Sequence, residues 1–187
     1  MKKVTLVLGA FMALFIISCE GPAGPPGYDG FDGQDGKDGE DGINILGTVI
    51  DIEGDFNPSD YSITYEFPQT VEVFETDVVL VYILWEQLAN GSEPPIDVWR
   101  LLPQTVLLDQ GILQYNYDHT FLDVRVFLNG DFDLGTLTSA DTQNQIFRIA
   151  ILPAEKLAGS KLDKSNINAV MRSMGIEEKD VQRFKMN

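Results

Sequence analysis

Side chains suited to chemistry are few in this 187-residue chain: one histidine, one cysteine, and 29 acidic residues against 13 lysines and arginines. His119 stands alone in Tyr117-Asp118-His119-Thr120, so no paired-histidine metal motif exists. No serine lies in the strand-turn-helix signature that exposes a nucleophile, although a serine-histidine-aspartate set assembles only in the fold and stays open. The simplest reading of His119 is a strand-end residue at a turn. Paired carboxylates can hydrolyse glycosides, but 18 acids fall between Ile43 and Glu155, so closeness in that stretch carries no information. Asp51-Ile52-Glu53-Gly54-Asp55 and Asp131-Phe132-Asp133 alternate acids at a spacing suited to oxygen ligation. Neither fits the twelve-residue calcium loop. A weak structural calcium is the one cofactor these spacings permit, with solvated turn acids as the default. Trp99, in Val98-Trp99-Arg100-Leu101-Leu102, is the candidate for stacking a ligand such as a sugar ring, whereas Trp85 closes an apolar run and reads as core. The expectation is a chain without catalytic residues and therefore not an enzyme.

Cys19 is the exception, because its surroundings give it a role. Lys2 and Lys3 precede an apolar run of about 14 residues, shorter than the roughly 20 that cross a bilayer, as in a secretory signal. The run ends in Ile16-Ile17-Ser18-Cys19, which resembles the lipobox of bacterial lipoprotein signal peptides. That resemblance implies removal of residues 1–18, a diacylglycerol on the Cys19 thiol, and contact with the membrane through the acyl chains. An ordinary signal peptide with an incidental cysteine is the competing reading. A lone cysteine leaves no intramolecular disulfide framework.

Directly behind it, Gly21, Gly24, Gly27, Gly30, Gly33, Gly36, Gly39 and Gly42 recur at every third position. Only glycine fits the crowded axis of a collagen triple helix, and the Gly-Pro-Ala-Gly-Pro-Pro opening favours extended backbone. The period predicts a homotrimeric stalk over residues 19–44, reaching on the order of 70 Å at roughly 3.1 Å per residue. The alternative is a flexible glycine-rich tether. Charge opposes the assembly: within the repeat from Gly21 to Gly42, Asp29, Asp32, Asp35, Asp38, Glu40 and Asp41 against Lys37 leave each strand at minus 5 and three aligned strands at minus 15. The anchors, the downstream domain or bridging divalent cations must offset that repulsion.

The stalk and anchor need a body to carry, and the composition changes at once after Asn44. Residues 45–155 alternate short apolar runs with Gly, Pro, Asn and Asp clusters. Tyr61, Ile63, Tyr65 and Phe67 share one face of a strand, residues 78–85 form a nearly unbroken apolar run, and Leu122, Val124, Val126 and Leu128 alternate against Asp123 and Arg125. Adding residues 48–52, 71–74, 98–101, 105–108, 113–117 and 145–152 gives about nine strands. The fold class expected is mainly β, an antiparallel sandwich in preference to a barrel, with Asn90-Gly91-Ser92-Glu93-Pro94-Pro95 as a loop.

Residues 156–187 turn helical. Ser165 is placed to cap a helix carrying Ile167, Val170, Met171 and Met174, with Gly175 at its end. A second short helix is expected over 177–184. This tail has 7 basic and 4 acidic residues, whereas residues 43–155 have 3 and 18. Opposite charge predicts docking of the tail on its own domain or on a neighbouring subunit, with anionic lipid as a third surface. The whole chain is formally minus 16, and minus 18 without the two leader lysines. Nucleic acid is excluded as a partner, since phosphates require Lys and Arg stripes.

Ile17-Ser18-Cys19 followed by GPAGPPGYDGFDGQDGKDGEDG is similar to the collagen-like surface lipoproteins of bacteria with an outer membrane, and VYILWEQLANG and DVWRLLPQTVLLDQGILQYNYD resemble the heads of such proteins from the Bacteroidota. The resemblance implies a lipid-anchored homotrimer at the outer-membrane surface with a structural or adhesive role. A glycan-binding accessory lipoprotein is the alternative, and the extracellular protein or glycan it would meet is unidentified.

Overall fold

A computed structural model describes residues 47–157 and 161–186. Its strands are β1 (Thr48–Gly54), β2 (Ser62–Glu66), β3 (Val78–Asn90), β4 (Glu93–Leu101), β5 (Gln104–Leu108), β6 (Gly111–His119), β7 (Asp123–Gly130), β8 (Gln145–Leu152) and β9 (Gln182–Lys185). They form two sheets, ordered β4-β3-β8-β1-β9 and β2-β7-β6-β5. The expectation of a mainly β, sandwich-like body is met. One pairing departs from it, since β9 runs parallel to β1.

Period-two alternation builds the core between the sheets. Ile50 and Ile52 of β1, Val79, Val81 and Ile83 of β3, and Phe147, Ile149 and Ile151 of β8 face Ile63, Tyr65, Leu113, Tyr115, Val124, Val126 and Leu128 of the second sheet. The five-stranded sheet is covered on its other face too. Helix α3 (Ile167–Met174), which follows the one-turn helices α1 (Ser139–Thr142) and α2 (Ala154–Leu157), lays Ile167, Val170, Met171 and Met174 on Val49, Leu80, Tyr82, Ala150 and Leu152. Burial on both faces explains why β3 and β8 read as continuous apolar runs rather than alternating ones.

Local signals placed the helix correctly but mistook its cap. Asn166, not Ser165, accepts the Ala169 N–H at 3.1 Å, while the Ser165 hydroxyl donates to Asp163 at 2.6 Å. At the other end Gly175 adopts φ 72°, and the Ile176 and Gly175 N–H groups close back on Met171 and Arg172. Those two bonds form a Schellman ending, which favours glycine at the left-handed position. Three further expectations are corrected. Residues 71–74 form no strand; they cross as a loop whose Val71 and Val73 still pack on the core. The second helix expected over 177–184 is a single 3-10 turn, Glu178–Asp180, followed by β9, because the free edge of β1 offers backbone partners that a short isolated helix cannot match.

The third correction concerns residues 90–95. Only Gly91 and Ser92 turn, and Pro94 and Pro95 lie within β4. Pairing of β3 with β8 stops at Ile83, but pairing with β4 continues to Asn90. The hairpin therefore runs on past its last pairing with β8, and its exposed part, residues 86–90, reaches roughly 17 Å at about 3.3 Å per residue. Strands β1 and β3 both run antiparallel to β8, so the arm leaves the body at the end opposite Gly47. The two prolines remove N–H donors from an edge strand and blunt it against further pairing.

Candidate functional site

Arg148 is the largest side chain buried to below 2% exposure, and its place is set by register. Cross-strand pairing aligns Tyr82, Arg148, Asp51 and Arg183 in one row over β3, β8, β1 and β9. The Arg148 guanidinium donates to both Asp51 oxygens, Nε to Oδ1 at 2.7 Å and Nη2 to Oδ2 at 3.0 Å, and to both Glu178 oxygens, with Nη1 at 2.7 Å from Oε2. Its remaining face lies 4.3 Å from the Trp99 ring. Arg183 adds a 3.1 Å bond to Asp51. Burial alone would lower the Arg148 pKa, but the bonds to Asp51 and Glu178 outweigh it and hold the value above that of a free guanidinium. Beside this row the Tyr82 hydroxyl donates to the Lys164 carbonyl.

The cluster fastens the tail to the sheet. Glu178, Arg183 and Lys164 all belong to residues 161–186, and Lys185 reaches Glu53 at 3.1 Å. Docking on its own domain is thus the arrangement the described residues adopt. Two of the tail's ion pairs, Arg183 on Asp51 and Lys185 on Glu53, have the sign that the net charges predict, and Glu178 on Arg148 has the opposite one. Sequence reasoning did not single out Arg148; the available signal was one arginine within the apolar run Gln145–Leu152.

The acids considered for calcium are otherwise engaged. Asp51 is in the arginine cluster, Glu53 pairs with Lys185, and Asp55 accepts the Asn144 N–H at 2.7 Å. Asp131 accepts from Ile112 N at 2.7 Å and Asp133 from Gly135 N at 2.9 Å, both holding turns. Among the described residues no three His, Cys, Asp or Glu side chains converge to hold a metal. His119 ends β6 with its ring stacked on Tyr117, centroids 6.4 Å apart. Trp99 is half-buried, with one ring face taken by Arg148; Trp85 sits at a bulge in β3, packs on the core and carries Arg100 at 3.9 Å. Cys19 and the glycines Gly21 to Gly42 lie outside the described residues.

Two surface features occupy the end where the preceding chain joins. One is a cavity of about 350 Å³ bounded by Gly47, Thr48, Tyr65, Val71, Ile176 and Phe184. The other is a groove of about 190 Å³ lined by Phe74, His119 and Phe121, with Phe74 and Phe121 exposed by 42% and 50% and Leu122, exposed by 62%, next to Phe121 in the chain. Register ties them together: Thr48 and Val79 both pair with Ile151, the Tyr117 hydroxyl donates to the Val79 carbonyl at 3.1 Å, and Phe67 N–H donates to the Leu122 carbonyl at 2.8 Å.

No protein-family model, curated protein or solved structure matches this chain. Among the described residues no helix is long and apolar enough to cross a membrane.

Proposed function

We propose that this chain is a lipid-anchored, homotrimeric, collagen-like protein of the bacterial outer-membrane surface, with a structural or adhesive role rather than a catalytic one. The observation that carries the reading is the unbroken three-residue glycine period from Gly21 to Gly42, set directly behind Ile17-Ser18-Cys19 and ahead of a body with its own core. Only a close-packed triple helix demands glycine at every third position. The body supports the reading by its polarity: Gly47, the first described residue, stands at one end, and the β3–β4 arm, with Leu88 and Ile96 about half exposed, projects from the other. The engagement of the Trp85 and Trp99 ring faces by arginines weighs against a sugar-stacking role.

Two measurements test it. Metabolic labelling with a fatty acid in an outer-membrane bacterium should mark the natural chain and leave Cys19→Ala unlabelled. Light scattering should give a trimer for the chain from Glu20 onward; a strict monomer, with or without calcium, overturns the trimer, and equal labelling of Cys19→Ala overturns the anchor.

A further inference from the structure

Three exposed apolar side chains on neighbouring loops need a reason, since isolated exposed Leu or Phe residues are ordinary but a contiguous cluster marks contact. Phe74 and Phe121 line one groove, and Leu122 follows on the same β6–β7 turn. Side-chain hydrogen bonds hold both loops in place: Asp77 Oδ2 accepts the Phe74 N–H at 3.0 Å, and the Thr120 hydroxyl donates to Asp123 Oδ1 at 2.6 Å and accepts from Leu122 N at 3.0 Å. These bonds present the tips at the Gly47 end of the body.

We infer that Phe74, Phe121 and Leu122 form the contact between heads of neighbouring copies of this same chain, packing around the point where the stalk joins. The inference rests on the trimer reading above and names the surface that performs it. Its occupant follows from where the chain goes. The 46 residues before Gly47 carry the glycine repeat, so three strands wound together deliver three copies of this end, and no other, to one place at an effective concentration on the order of millimolar. A surface facing its own copies at such concentration needs only weak affinity to stay closed.

Charge selects between a second copy and a lipid surface. The charged groups at the tips are Glu75, Asp77 and Asp123, and the nearby Arg125 is held by Asp118. Contact with anionic lipid relies on lysine and arginine, and none stands free at these loops among the described residues. A self-contact that centres on three apolar side chains and leaves the acids at its rim suits these groups instead.

The test uses the chain from Glu20 onward, which lacks the leader and the only cysteine. Sedimentation of Phe74→Ser/Phe121→Ser/Leu122→Ser should show the trimer's dissociation midpoint raised at least about tenfold, with an unchanged far-ultraviolet circular dichroism spectrum, since all three positions are surface sites. As a second measurement, Leu122→Cys under mild oxidation should form interchain disulfides, whereas Leu107→Cys, 80% exposed on β5, should not. A trimer as stable in the triple variant as in the parent, or equal cross-linking at both cysteines, overturns the contact and leaves the trimer standing. Flotation of the parent with anionic vesicles, lost in the triple variant, assigns the tips to lipid and also overturns it. A monomeric parent removes the contact together with the trimer reading.

Discussion

Arg148→Ala should destabilise the body by about 3–5 kcal/mol, the usual result of stripping the partner from a buried charge. The loss is concentrated on Asp51. Its side chain is 3% exposed and keeps only the single bond from Arg183, which is itself 45% exposed. Glu178 is 65% exposed and regains water when its partner goes, so Glu178→Gln alone should cost about 1 kcal/mol or less. Removing both buried charges is a different perturbation: Asp51→Val with Arg148→Met changes the combined side-chain volume little and leaves no buried charge unpaired. That double variant should lie within roughly 1–2 kcal/mol of the parent, or above it. Urea unfolding followed by tryptophan fluorescence suits the assay, because Trp99 stacks on Arg148. With a slope of about 2 kcal/mol per molar urea, Arg148→Ala should move the midpoint down by roughly 2 M. A loss for Arg148→Ala below about 1 kcal/mol, or a double variant worse than either single one, refutes the argument that an uncompensated Asp51 carries the cost.

Two further outcomes follow from the packing. Burial pushes the hydroxyl pKa values of Tyr82, Tyr115, Tyr117 and Tyr65 above the ordinary tyrosine value. A raised folded pKa means the unfolded chain loses its protons first, so the tyrosine contribution to stability should be level below about pH 10 and fall as pH rises beyond it. Absorbance near 295 nm should then show these tyrosines ionising together with unfolding, and free titration of all six before unfolding would contradict it. At Gly47 a Cβ would meet the Met174 sulfur at 2.0 Å and the Ile151 carbonyl at 3.1 Å. Gly47→Ala should therefore cost about 1–3 kcal/mol by overpacking, and Met174→Val in the same chain should recover part of it; strictly additive losses in thermal unfolding would refute that account.

Much of the body was legible because alternation in the chain is alternation in space. Ile63 and Tyr65, and Val124, Val126 and Leu128, lie on the core side as their spacing demands. Helix α3 was legible for the same reason at its own period, with Ile167, Val170, Met171 and Met174 on one face. What failed were segments whose fate depends on a neighbour. Glu177 to Phe184 has the apolar spacing of a short helix, yet the open edge of β1 draws residues 182–185 into the sheet. Asn90 to Pro95 has loop composition, yet β3 and β4 pair almost to the turn.

The sequence by itself determined the periods: glycine at every third residue ahead of the body, period two within it, and the helical stripe behind it. Each is a property of one segment and needs no partner to be read. The tertiary structure decided the pairings. It set Arg148 opposite Asp51, 97 residues apart, brought Glu178 over Arg148 from the tail, and gathered Phe74 with Phe121 in one groove. Those contacts follow from strand register and sheet order, which are settled by burying one common core and not by any short stretch of chain.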